Sequence, residues 1–157
     1  AGAGVVGVAE PVSIDADAGP DPRFAAADEA LSAGDFAQAV GATHPVHHDV
    51  EAARAAGYAD VVATPTFAVV IAQRAEAQLI EDPAAGIDFS RVVHADERFT
   101  HHRPIVAGDE IVTVLHVDAI VERAGLAMVT TRCELADASG APVATVTSTL
   151  AVRGEES

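Results

Sequence analysis

Between Ile111 and Val152 the chain lays down three long alternating runs with almost nothing between them, which constrains the fold more than any other feature. Ile111–Val121 sets Ile111, Leu115, Val117, Ala119 and Val121 on one face at a period of two. Leu126–Leu135 and Val143–Val152 repeat that character. Arg123-Ala124-Gly125 reads as a hairpin turn, and Asp137-Ala138-Ser139-Gly140 joins the second pair. Strands linked this tightly pair antiparallel, and one face of the sheet they form needs a cover. The long apolar pattern ahead of them supplies it: Phe67, Val70, Ile71, Ala75 and Leu79 recur at helical spacing. Thr64 is placed to cap this helix, and Pro65 suits its first position because its missing N–H would be unpaired there. The pattern therefore predicts an α+β domain, a curled antiparallel sheet wrapped around one central helix over Pro65 to about Ile80.

The remaining chain fits around that pair. Ala1 to Ala9 is small and apolar, lacks a basic leading segment, and reads as a loosely held or strand-like stretch. Residues 10–23 carry three prolines and several acids, so a loop is expected. From Phe24 to Val40 an Ala-rich helix is expected, broken at Gly34 and stopped by Gly41. Asp49, or the residue before it, can cap a short helix over Val50 to Ala56 that Gly57 ends. Asp82-Pro83-Ala84-Ala85-Gly86 is a turn, and Val92 to Phe99 reads as a strand.

Charge and composition exclude some functions. At 157 residues one domain with a real core is expected, and no apolar run approaches the ~20 residues that cross a bilayer. A net charge of −15 argues against a nucleic-acid partner, because phosphate backbones require clustered cations. Every basic residue is Arg, which with the abundance of Ala, Val and Gly reflects a GC-rich coding bias or adaptation to salt. The single Cys133 lies in a strand-like run and reads as a buried structural thiol, pointing to a soluble protein in the reducing cytoplasm.

Several runs together resemble the MaoC-like dehydratases. These are Phe36-Ala-x-Ala-Val-Gly-x-x-His-Pro45, His48-Asp49, Ala55-x-Gly-Tyr58, Val61-Val-Ala-x-Pro-Thr-Phe67 and Phe99-x-x-x-Arg-Pro-Ile-Val-Ala-Gly-Asp109. The resemblance is nearest to the N-terminal-type branch that supplies actinobacterial (3R)-hydroxyacyl-thioester dehydratase subunits. It implies a hot-dog fold over residues 35–153, with 1–34 an N-terminal segment of loop and Ala-rich helix and 154–157 a tail. It also implies a homodimer or a heterodimer with a homologous hot-dog subunit, and an acyl-CoA or acyl-carrier-protein thioester as substrate in fatty-acid metabolism. No metal or other cofactor and no membrane are expected.

The family's chemistry, a hydro-lyase reaction, adds or removes water beside a thioester. It needs an acid–base pair and an N–H donor for the oxygen on which enolate charge develops. In active members an Asp and a His five residues later form the pair; here those positions are Ala42 and His47, so half of it is present. Where active members carry His-Gly at the helix start, this chain has Thr64-Pro65, and Pro65 cannot donate. The role would pass to the amide of Thr66 at the helix N-terminus. Thr64, Thr66, Phe67 and Tyr58 are the candidate substrate-binding residues, and Asp49 and Asp60 the candidate replacements for the missing carboxylate.

Each has a plainer reading: caps for Thr64 and Thr66, core for Phe67, turn packing for Tyr58, an exposed strand end for His101-His102. His44, His47, His48 and Asp49 invite a metal reading, which the Pro45 kink opposes by spreading the side chains. Two outcomes follow from the loss of Asp at position 42: a dehydratase site completed elsewhere, or a non-catalytic acyl-binding subunit that supports a catalytic partner. A hot-dog thioesterase is a third, weakened because such enzymes place an acid on or near the central helix, whereas Glu76 and Glu81 stand late in it.

Overall fold

The structure is a computed structural model and describes residues 4–8, 12–15 and 31–154. Its elements are β1 (Gly4–Val8), β2 (Val12–Asp15), β3 (Leu31–Ser32), α1 (Ala33–Ala39), α2 (Val50–Ala55), α3 (Ala68–Glu81), β4 (Val92–His101), β5 (Glu110–Arg123), β6 (Leu126–Asp137) and β7 (Pro142–Arg153). Among the described residues the sheet has the order β3-β2-β5-β6-β7-β4, with β1 also paired to β5. Every pairing is antiparallel except the short β2–β3 contact.

The expected helix-and-sheet packing is present, with α3 lying on one face of the curled sheet. Ala68, Ile71, Ala72 and Ala75, spaced one and two turns apart, are buried together with Leu115, Cys133, Val143 and Val146 from three strands. The alanines let the helix approach closely; the Cys133 thiol lies 3.9 Å from the Ala72 carbonyl. Burying a side chain such as Ile71 or Phe67 here contributes about 1.5–3 kcal/mol. The Cys133 thiol is fully buried, and burial first, then the carboxylates of Glu76 and Glu97, pushes it up to about 12.

Several local expectations are corrected. Gly34 does not break the first helix: it sits buried inside α1, whose first turn is capped by Ser32 Oγ accepting from the Asp35 amide at 3.1 Å. The part expected at Phe24–Ala30 lies outside the described residues. Residues 12–15 form a strand where a loop is expected, because Val12-Ser-Ile-Asp15 alternates and Ile14 is fully buried. Thus β1 and β2 hydrogen-bond to β5.

Helix α3 starts at Ala68, not Pro65. Residues 65–67 form a tight turn with Phe67 donating to the Thr64 carbonyl at 3.0 Å. The Thr64 hydroxyl does not cap; it is buried without a hydrogen-bond partner. The one-face pattern on β5 fails beyond Val117, because Asp118 is an extra residue that shifts the register against β6. Val121, expected inward, is therefore 55% exposed. Other features match: Asp49 caps α2 by accepting from Ala52 at 3.0 Å, and Gly41 follows α1 with φ of 73°.

One carboxyl group is buried between α3 and the sheet, and a second is partly buried beside it. Glu76 is 3% exposed and accepts from the Thr131 hydroxyl at 2.6 Å. Glu97 accepts from the Ser148 hydroxyl at 3.0 Å and contacts His94, while its Oε1 is buried without a partner. Burial raises the Glu97 carboxyl above its ordinary value, helped by the nearby Glu76 and opposed by Ser148 and His94. An acid raised in this way holds its proton more tightly folded than unfolded. The contribution of Glu97 to stability is therefore fully present below the unfolded value of 4.5 and is lost as pH rises through the folded value. Urea midpoints measured across pH should show this fall in the wild type and lose it in Glu97→Gln. A pH profile of Glu97→Gln that parallels the wild type would contradict it.

The β5–β6 hairpin gives a second prediction. Its turn puts Ala124 at φ 51° and Gly125 at φ 76°, a two-residue turn that needs left-handed backbone at both positions. Ala124→Gly should raise stability by about 0.5–1 kcal/mol, read as a higher urea midpoint at unchanged slope.

Candidate functional site

The loop from Arg103 to Asp109 builds the site from outside inward. Gly108, with φ of 94°, lets the chain turn so that Asp109 faces back onto Arg103. The guanidinium donates to both Asp109 oxygens at 2.8 and 3.0 Å, and Asp109 also accepts the Val106 amide at 2.9 Å. Asp137 stands 3.6 Å from the same guanidinium. The hydrogen bonds from Asp109 hold the Arg103 proton above its ordinary range.

That pinned loop pairs with residues 61–63: Ala63 donates to the Ile105 carbonyl at 2.8 Å and Ala107 to the Val61 carbonyl at 2.9 Å. Residues 61–63 in turn hold the histidine turn. Val62 donates to the Val46 carbonyl at 2.9 Å, and its own carbonyl lies 2.6 Å from His47 Nδ1. A carbonyl only accepts, so His47 Nδ1 carries the hydrogen, and in the neutral ring it is Nε2 that presents the lone pair. A neutral imidazole fixed in this tautomer is a proton acceptor at Nε2.

A groove of about 510 Å³ opens here, lined among others by His47, Tyr58, Thr64, Pro65, His101 and Arg103. The structure therefore brings three of the sequence-selected residues, His47, Tyr58 and Thr64, to one surface. Thr64 is 5% exposed with its hydroxyl unpaired, so it carries an unmet hydrogen-bonding group at the groove wall. Phe67 does not line the groove. The turn at 65–67 sends its ring inward, edge-on to Phe36 at 5.5 Å. Thr66 is exposed beside the groove, and its amide bonds to nothing among the described residues.

Among the described residues no carboxylate reaches His47. Asp49 is engaged with the Ala52 amide, and Asp60 accepts from Val61 at 2.7 Å. At position 42 the Ala42 carbonyl accepts from His48 Nε2 at 2.6 Å. His44 turns its Nδ1 to the Val46 amide at 3.3 Å, so the three imidazoles of the cluster face three different backbone partners. His101, an exposed strand end as expected, also donates from Nε2 to the Pro65 carbonyl at 2.7 Å and lines the groove. Sequence reasoning missed that contact; its place between Phe99 and Arg103 in the family run was the available signal.

Comparisons with known proteins agree with this architecture. The profile described as "FAS1-like, dehydratase domain region" matches residues 28–146. A UPF0336 protein of Saccharopolyspora erythraea is 48% identical over 135 residues, covering 86% of this chain and 85% of that protein. One from Clavibacter michiganensis is 55% identical over 122 residues, covering 78% and 82%. Among solved structures, the HadBC (3R-hydroxyacyl-ACP dehydratase) complex from Mycobacterium tuberculosis aligns at 30% identity and a TM-score of 0.68. It covers 76% of this chain and 83% of that one. The MaoC-like dehydratase from Rhodospirillum rubrum shares the fold at 21% identity and a TM-score of 0.65, covering 96% and 91%. With a histidine-bearing turn and a helix start facing one groove on such a sheet, this chain belongs to the MaoC-like hot-dog dehydratase family, alongside the UPF0336 proteins.

Proposed function

We propose that this chain is the acyl-thioester-binding subunit of a (3R)-hydroxyacyl-thioester dehydratase, with a homologous hot-dog subunit completing the acid–base set. The observation that carries the reading is the environment of His47: its Nδ1 is bound to a backbone carbonyl, and every acid near it in sequence is committed elsewhere. Syn removal of water needs one group to take the α-proton and another to protonate the departing hydroxyl. His47 Nε2 can serve only as an acceptor until it is protonated, and among the described residues no carboxylate stands with it. A lone general base of this kind leaves a deficit of roughly 10²–10⁴ in rate.

The other groove groups suit a thioester. The free Thr66 amide at the start of the 14-residue α3 can donate to the thioester oxygen as charge develops there, aided by the helix N-terminus. Thr64 offers its unpaired hydroxyl, and Tyr58 covers the mouth. The acyl carrier is coenzyme A or a carrier protein, the reaction requires no metal or redox cofactor, and the setting is the cytoplasm. A homologous partner accords with the HadBC complex.

The alternative is a self-sufficient hydratase acting through His47 alone, and the outward-facing Nε2 is what favours it.

Hydration of a medium-chain trans-2-enoyl thioester, followed by absorbance, separates the two. The purified chain alone should show at least about 10²-fold less turnover than its complex with a MaoC-like subunit that carries the Asp and His pair. Turnover by the chain alone at ~1–10³ s⁻¹, abolished in His47→Ala, would replace the subunit reading with the self-sufficient one. A second expectation concerns the scaffold of the groove. Asp109→Ala removes three charge-assisted hydrogen bonds and should cost about 2–3 kcal/mol by urea denaturation, with loss of thioester binding. An unchanged midpoint would show that the pair does not hold the loop.

A further inference from the structure

At the end of the sheet far from His47, on the face turned away from α3, the strand registers line up two rows of unlike chemistry. In the first, Arg123 on β5 pairs with Leu126 on β6, which pairs with Arg153 on β7. Arg91 stands one step beyond the Val92–Val152 pair and so falls next to Arg153. Three of the nine arginines of a chain with net charge −15 are thus in one cross-strand row, interrupted only by Leu126. All four side chains line a single cavity of about 510 Å³. Two residues along each strand, and therefore on the same face, lies the row Val93, Ala151, Met128, Val121. Val93 is 64% exposed, Val121 55% and Leu126 40%. The next row, Asp96, Thr149, Thr130, Ala119, is mostly polar and bounds the apolar strip on its far side.

Like charges set opposite one another on neighbouring strands oppose folding. Arg91 has a partial counter-charge in Asp88 at 3.2 Å, an exposed pair of small worth. Among the described residues Arg123 and Arg153 form no ion pair. Asp88 and Glu122 line the same cavity, two carboxylates against three guanidiniums, so positive charge is in excess there. An apolar strip edged by only partly neutralised arginines lacks an apolar cover and a full set of anions.

We propose that these two rows dock an acidic amphipathic helix of a partner protein, laid across the strands with its apolar stripe on Val93, Met128 and Val121 and its carboxylates over the arginines. The spacing fits. Strands lie about 4.8 Å apart, so the arginines fall at about 0, 5 and 14 Å along the row. Helix residues i, i+3 and i+10 share a face and fall at about 0, 4.5 and 15 Å along the axis. The width also fits: a strip one row deep beside one charged row matches a helix about 10 Å across rather than a plane. The chain's overall negative charge repels an anionic bilayer, and a second copy docked two-fold through these rows sets the arginines against either arginines or the apolar row, in neither case against carboxylates. This surface is independent of the thioester reading, and its test involves no turnover.

The probe is a fluorescein-labelled stapled peptide helix with Glu at i, i+3 and i+10 and Leu along the adjoining face, titrated with the full chain by fluorescence anisotropy. Binding should weaken at least tenfold in the Arg123→Glu, Arg153→Glu double variant and in Val121→Asp. It should survive in Arg123→Lys, Arg153→Lys and fall steeply with salt. Thermal midpoints of the variants, read alongside, separate lost docking from lost folding. A peptide with Lys at the Glu positions should not bind. The proposal is overturned if the native-like charge-reversed variant binds equally or if the acidic peptide does not bind. It is equally overturned if phosphatidylserine vesicles bind in the peptide's place, or if sedimentation shows wild-type chains self-associating through this strip and the variants monomeric.

Discussion

The bidentate ion pair between Arg103 and Asp109 is the contact on which the candidate site depends. It closes a loop whose backbone also bonds to residues 61–63 and to Ile14, and Asp109 binds the Val106 amide within the same turn. Closed, the loop offers Ile105 and Ala107 as ladder partners to residues 61–63, and the Val62 carbonyl is thereby fixed 2.6 Å from His47. The same 61–63 segment leads through Thr64 into the turn that starts α3. One charged contact thus sets the orientation of the imidazole and the entry of the helix. Charge-assisted bidentate bonds suit such a task because their geometry is directional as well as strong.

Around that contact the fold divides its polar groups by location. At the helix start the unmet groups, the Thr64 hydroxyl and the Thr66 amide, border the groove with His47. Deeper along α3, the buried Glu76 is spent on Thr131 and the partly buried Glu97 on Ser148, which gives both a structural part and Glu97 a pH-dependent one. Among the described residues no carboxylate stands beside His47, which is why the proposed dehydratase reading calls on a second subunit.

The family runs in the sequence carry physical meaning in the structure. Gly108-Asp109 is legible as a turn, but its value lies in returning a carboxylate onto Arg103, a contact between residues six apart. The Val61-Val-Ala run reads as a short apolar stretch; its role is to present a backbone carbonyl, which no side-chain pattern encodes. His101 reads as an exposed end, and its bond to Pro65 spans 36 positions in sequence.

The sequence by itself determined the three-strand antiparallel unit, the central apolar helix, the caps at Asp49 and Gly41 and the buried thiol, because periodicity and local turn chemistry act over a few residues. Only the tertiary structure decided the rest. The bulge at Asp118 turned Val121 outward and, with the register of four strands, set Arg91, Arg123 and Arg153 in one row. Packing over α1 drew Phe67 under the sheet and moved the helix start to Ala68, leaving the Thr64 hydroxyl unpaired. Those outcomes depend on long-range pairing, in which a one-residue shift exchanges the two faces of a strand, and no window of neighbouring residues contains that information.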